Sequence, residues 1–297
     1  VISFPICVGG FVLNITSLID LLSMMNRLNY LVREHSAALL EACSGAIPAG
    51  MALTDLPNYL YGCYTGLAVS IFGIVPAIAG VFAKSALPNI ASSWARGNRD
   101  YTRRNIELVI RITALVTVPS GIGISVLSHP ILSVLFSSRA EEVNIAAPVL
   151  AIMGIGVIFQ AGSLLLFSIL QALGYAKLPV RHMAVGGAVK IVLNMILMSL
   201  PTLHVNGAAF STATCYLLIF ILEFSALARI IGMKFNFSNI FLRPVIAGGI
   251  CGIAAQTAYS LLIRCCGKSL SVALAVGISA FLYIIVAVCI KAVESCL

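Results

Sequence analysis

Val143 to Leu173 reads VNIAAPVLAIMGIGVIFQAGSLLLFSILQAL and contains no Asp, Glu, Lys or Arg. A helix needs about 20 apolar residues to cross a bilayer, and this run exceeds that without alternating. It is one of about eight such runs. The others are Ile2 to Met25, Leu60 to Leu87, Ile106 to Leu127, Met183 to Leu200, Gly207 to Ile231, Val245 to Ile263 and Leu270 to Ile290. Across all 297 residues 60% are hydrophobic, 9% are charged and the mean hydropathy is +1.07. A soluble domain carries about 25% charged residues. Backbone amides in lipid must pair internally, which leaves helices or a closed barrel, and unbroken runs select helices. The expected fold is an all-α, polytopic membrane helix bundle.

The net charge of +8 is distributed by loop. Arg96, Arg99, Arg103 and Arg104 fall in the second connection. Lys177 and Arg181 fall in the fourth, Arg229, Lys234 and Arg243 in the sixth, and Lys291 after the last run. The third, fifth and seventh connections hold only Arg139, none, and Arg264 with Lys268. Basic loops stay cytoplasmic, so these arginines are read as topology anchors, with both ends of the chain cytoplasmic. That reading replaces nucleic-acid binding as the meaning of the charge. The chain begins at Val1 inside hydrophobic sequence, which is the expectation for a segment of a longer protein.

The nine cysteines include no C-x-x-C pair, and the four histidines are far apart. No metal, cofactor or disulfide framework is expected from that spacing. Neither H-E-x-x-H, G-x-x-x-x-G-K-[ST] nor G-x-S-x-G occurs. Pro88 is expected to interrupt the second run, and His129-Pro130 to start a short surface helix. Gly248 and Gly252, like Gly62 and Gly66, have the spacing of close helix contacts.

Polar groups inside the runs are the candidates for function, because burying them in hydrocarbon is costly. Lys190 and Asn194 are four apart and share a helix face. Lys84, Gln160 and Gln171 join them as candidate cavity groups for a polar or anionic cargo. Asp20 and Glu223 are the candidate carboxylates for a coupling ion.

Several stretches resemble a known family. LPNIASSWARGNRDYTRR (Leu87 to Arg104), then HPILSVLF (His129 to Phe136), SILQALGYAKLPV (Ser168 to Val180) and GAVKIVLNMILMSLPTLHVNGAAFSTATCYL (Gly187 to Leu217) are similar to the polysaccharide-flippase branch of the multidrug/oligosaccharidyl-lipid/polysaccharide exporter superfamily. The stage V sporulation protein B type is the nearest in look. The resemblance implies a fourteen-helix, two-lobed, MATE-like transporter. On that plan residues 1–231 are the second six-helix lobe, and 232–297 are an additional C-terminal helix pair. It implies a bacterial plasma-membrane flippase for undecaprenyl-pyrophosphate-linked saccharide or peptidoglycan precursor, in spore-cortex or cell-wall biogenesis. Its partners would be that lipid-linked saccharide, membrane lipids and a first lobe. Lipid II flippases of the same superfamily are also similar. They carry an arginine early in the helix that corresponds to Leu60 to Ser70, where this chain has no basic residue. The alternatives are a cation-coupled multidrug exporter, a membrane-embedded transferase, or an inactive fragment.

Overall fold

The structure is a computed structural model, and it describes residues 21–48, 50–232 and 241–289. Among these residues there are helices and turns and no strand. Residues 21–34 form α1 and Ser36–Ala42 α2. Then come α3 (Leu56–Ala95), α4 (Arg99–Val126), α5 (Ser128–Leu135), α6 (Ala140–Ala172), α7 (Lys177–Leu197), α8 (His204–Ile231), α9 (Arg243–Leu262) and α10 (Lys268–Cys289). Seven of them, α3, α4 and α6 to α10, are long and apolar enough to span a membrane. The protein is a polytopic all-α membrane bundle. Most of the expected first span, Ile2 to Met25, lies outside the described residues.

Helix α6 is the axis of the bundle. Its first turn carries Glu141 and Glu142, which complement the positive end of the helix dipole. Ala146, Val149, Leu150, Met153, Val157, Ala161, Leu165 and Ile169 then recur at helical spacing and are buried. Helices α3, α4, α5 and α8 pack around it. Helix α7 packs on α8, while α9 and α10 pack on one another and α9 lies against α4. The outer surface is apolar. Helix α10 has a mean hydropathy of 2.7 over its most apolar window, and only 11% of that window is buried within the protein. Water would not tolerate such a face; hydrocarbon does.

Close backbone approach sets the α4–α6 crossing. A Cβ on Gly154 would lie 2.6 Å from the Ser125 backbone nitrogen, and one on Gly121 would lie 2.7 Å from the Gly154 carbonyl oxygen. Ser125 Oγ donates to the Ala151 carbonyl across the same crossing at 2.6 Å. The expected glycine pair Gly248 and Gly252 does serve as a contact, since each would meet Ile122 of α4 at 2.8 Å. Gly62 and Gly66 face nothing within 4 Å among the described residues, so that pair is no helix contact there.

The expected break at Pro88 does not occur. Helix α3 runs through Pro88 to Ala95. Neighbouring helices α4 and α6 pack along it and hold the turn, as membrane bundles do around internal prolines. The irregularity of α3 lies elsewhere, in a π-helical segment at Cys63–Val69. The short helix expected after His129 is α5.

The arginines around the α3–α4 connection make specific contacts. Arg99 lies over the Trp94 ring, 3.4 Å from its centroid. Arg96 donates to the Ser92 carbonyl at 3.2 Å. Arg103 donates from Nε and Nη2 to the Ile231 carbonyl at 3.1 and 2.8 Å. That carbonyl is one of the unpaired acceptors at the end of α8, where Gly232 turns the chain with φ +65°. Arg104 is exposed. The Arg103 contact brings the start of α4 beside the end of α8, which defines an arginine-rich end of the bundle.

Free thiols are found at Cys43, Cys63, Cys215, Cys251, Cys265, Cys266 and Cys289. Cys43, in the connection after α2, is buried, and burial pushes its thiol up to about 11. Cys265 is exposed in the α9–α10 connection. A brief maleimide exposure of detergent-solubilised protein at pH 8, mapped by peptide mass spectrometry, is expected to modify Cys265 and leave Cys43 unmodified. Equal modification of both would show that the connection after α2 is open.

Candidate functional site

The π-helical segment of α3 faces α6, α7 and α8 across a groove of about 310 Å³. A π turn carries one extra residue in the coil and shifts the side chains that follow, and such segments are frequent at functional sites. Here it brings Tyr64 and Thr65 to the groove, joined by Tyr61 one turn earlier. Opposite stand Gln160 of α6, Lys190 of α7, and Thr212 and Tyr216 of α8.

The polar side chains are tied to one another across helices. Tyr64 Oη and Thr212 Oγ1 are hydrogen-bonded at 3.2 Å. Gln160 Nε2 donates to Tyr216 Oη at 3.2 Å. Gln160 Oε1 is buried and has no protein partner among the described residues. Lys190 supplies the positive charge to this lining and is half-buried. The arrangement therefore combines one cation, a carboxamide and several hydroxyls in a groove whose other walls are Val69, Phe72, Met153, Met183 and Ile219. Chemically it can hold a polar or anionic head beside an apolar medium.

The sequence candidates separate into several places. Lys190 and Gln160 come together in the groove. Asn194, one turn after Lys190, does not line it. Its side chain is 0% exposed, accepts a hydrogen bond from Ser211 Oγ and donates to Ser23 Oγ at 3.4 Å. Asn194 thus ties α7 to α8 and α1, because i, i+4 neighbours on a helix edge can face different partners. Lys84 is exposed on α3, on a face shared with Val81 and away from the groove. Gln171 lies near the end of α6, also outside the groove, with Nε2 buried and without a hydrogen-bond partner among the described residues.

Glu223, a candidate carboxylate within the α8 run, is 0% exposed. Neither of its carboxylate oxygens has a protein partner among the described residues. The reason is register. Glu223 lies one turn from Phe220 and Leu227, on the face that α8 turns inward. Asp20 lies outside the described residues.

The tyrosines and Thr212 are the site residues that sequence spacing did not single out. Tyr216 falls in the middle of the apolar run Gly207 to Ile231 rather than at an end, where Tyr usually sits in membrane helices, whereas Tyr61 and Tyr64 stand at the start of the run Leu60 to Leu87. That placement is a signal for Tyr216 alone; Tyr61, Tyr64 and Thr212 carry none in the sequence.

The sequence profile of the family "Lipid II flippase MurJ" matches residues 59–263. The lipid II flippase MurJ of Bacillus subtilis is 25% identical over 183 residues, covering 61% of this chain and 33% of that protein. The probable low-salt glycan biosynthesis flippase Agl15 of Haloferax volcanii is 30% identical over 173 residues, or 56% of this chain and 35% of that protein. The probable lipid II flippase MurJ of Thermotoga maritima is 28% identical over 177 residues, or 59% and 34%. The matched stretch spans about a third of the length of each of these relatives.

Proposed function

The chain belongs to the lipid II flippase MurJ family, and from that premise we propose that it forms the cargo-handling second lobe of a flippase for lipid-linked saccharide. The observation that carries this reading is the groove that joins Lys190, Gln160 and the tyrosine hydroxyls beside an apolar surface. A lipid-linked sugar has a head that cannot cross hydrocarbon and a tail that need not leave it. Lys190 attracts the phosphate, the amide and hydroxyls take up sugar hydroxyls, and the tail stays in the bilayer.

Rocking of this lobe against a first lobe would move the groove from one side to the other. The inside-negative potential adds about 2.3 kcal/mol per negative charge for each 100 mV in favour of outward movement. Residues 1–231 belong to the lobe in this reading, and α9 with α10 are the additional pair that lies against α4. The arginine-rich end is cytoplasmic, in a bacterial plasma membrane. The likeness of Leu87 to Arg104, Ser168 to Val180 and Gly187 to Leu217 to the stage V sporulation protein B type supports, within this proposal, undecaprenyl-pyrophosphate-linked peptidoglycan precursors of spore cortex or cell wall as the cargo. The test is translocation of fluorescent lipid-linked saccharide by the lobe-complete protein in liposomes. Translocation no faster than in protein-free liposomes refutes the reading.

Glu223 favours a second reading, a cation-coupled exporter. A carboxyl removed from water and without a partner among the described residues is costly as an anion, so its burial suits a group that takes up and releases a proton. For this reading Glu223→Gln is expected to abolish transport driven by a proton gradient and to leave the protein folded. Gradient-driven transport at the parent rate in Glu223→Gln would reject it.

A further inference from the structure

A second cavity opens at the opposite end of the bundle from the arginines and shares no lining residue with the Lys190 groove. It measures about 340 Å³ and is formed by the connection after α2, the start of α6, the α7–α8 connection and the start of α8. Asn144, Thr202 and Ser44 stand at its exposed rim. Its floor is made by His204, which is 7% exposed, and by Asn206. His204 Nδ1 and Asn206 Oδ1 are both buried, and neither has a hydrogen-bond partner in the protein among the described residues. Buried polar atoms are nearly always paired in folded proteins, so two orphans on the floor of one open cavity point to a ligand that pairs them.

The lining defines the ligand's chemistry. No Lys, Arg, Asp or Glu contributes to it. An anion would meet the Asn206 carbonyl oxygen without a countercharge, and a cation would find no carboxylate. A hydroxyl both donates and accepts, so it satisfies the amide oxygen and either tautomer of the imidazole. Ile145 and Pro148 supply an apolar wall for the C–H face of a ring. The volume is at the small end of ligand pockets, room for one ring and its substituents. From this geometry we infer that the cavity binds a neutral pyranose, with His204 and Asn206 on its buried hydroxyls and Asn144 on its outer edge.

The test uses the full chain in lipid nanodiscs and saturation-transfer NMR with methyl N-acetylglucosaminide as the probe. Saturable binding is expected, and Asn206→Leu and Asn144→Leu, from two different elements, should each weaken it about fivefold or more, the effect of losing a hydrogen bond that leaves its partner unpaired. Binding unchanged in both variants, or no saturable binding in the parent protein, overturns the assignment. Variants are compared only where thermal melting matches the parent, and Asn206→Gln, which keeps the amide, should retain part of the binding that Asn206→Leu loses. A free sugar and the sugar of a lipid-linked head share this chemistry. Displacement of the probe by lipid-linked saccharide assigns the site to the linked head, and failure to displace assigns it to free sugar. The measurement does not involve Lys190 or transport, so it can fail while the flippase reading stands, and the reverse.

Discussion

Lys190→Glu in the lobe-complete protein is expected to reduce translocation of lipid-linked saccharide by on the order of a hundredfold or more. The magnitude follows from Coulomb's law. Unit charges 4 Å apart interact by about 4 kcal/mol at an effective dielectric of 20, and reversal replaces attraction for the phosphate with repulsion. Each 1.4 kcal/mol is about a factor of ten, so even a strongly screened contact leaves a large loss. Lys190→Gln removes the attraction without adding repulsion and should fall between the two. Lys84→Glu should stay within about twofold of the parent, because Lys84 is exposed on α3 and lines no part of the groove. The measurement is initial translocation rate in liposomes, with insertion checked by protease protection. A parent-like rate in correctly inserted Lys190→Glu would remove Lys190 from the mechanism. Equal losses for Lys190→Glu and Lys84→Glu would show that the cargo contacts both faces and that the groove is not the discriminating feature.

Gly154→Leu is expected to unfold the bundle or to lower its stability by on the order of 3 kcal/mol, the upper range for overpacking. The atoms in the way are backbone: Ser125 N at 2.6 Å, Ser125 Cα at 2.8 Å and the Gly121 carbonyl oxygen at 2.9 Å from a Cβ at this position. None can rotate aside as a side chain would. Helices α4 and α6 would have to separate, and the Ser125 to Ala151 hydrogen bond at the same crossing would go with them. Gly123→Ala is the matched control on α4, since a Cβ there meets nothing within 4 Å. Thermal melting in detergent should show a large drop for Gly154→Leu and none for Gly123→Ala. A melting curve for Gly154→Leu that overlays the parent would mean that the two helices do not cross this closely.

The two predictions differ in how far the sequence anticipates them. A lysine within an apolar run is visible as soon as the run is found, because hydrocarbon makes any ion there conspicuous. The glycine crossing is not. Gly121 and Gly154 lie on different helices and form no local pattern, whereas Gly62 and Gly66 have the familiar spacing and contact nothing among the described residues. Spacing along one helix says which residues share a face. It does not say which neighbour that face will meet.

The same distinction applies to the site. Tyr61, Tyr64, Thr212 and Tyr216 become a set with Lys190 only because the π turn at Cys63–Val69 and the antiparallel pair α7 and α8 bring three chain regions together. Asn194 and Lys84 are, like Lys190, polar intrusions in apolar runs. The packing tied the first to Ser23 and Ser211 and left the second on an exposed face.

What the sequence determined by itself is the solvent and the class. Long uncharged runs leave hydrocarbon as their only stable surroundings, and backbone pairing in hydrocarbon then requires helices; both are local, additive properties of composition. What only the tertiary structure decided is which polar side chains share a cavity, that Glu223 is sealed from water, and that Arg103 closes the end of α8. Those depend on helix register and crossing points, which are set by contacts between residues distant in the chain.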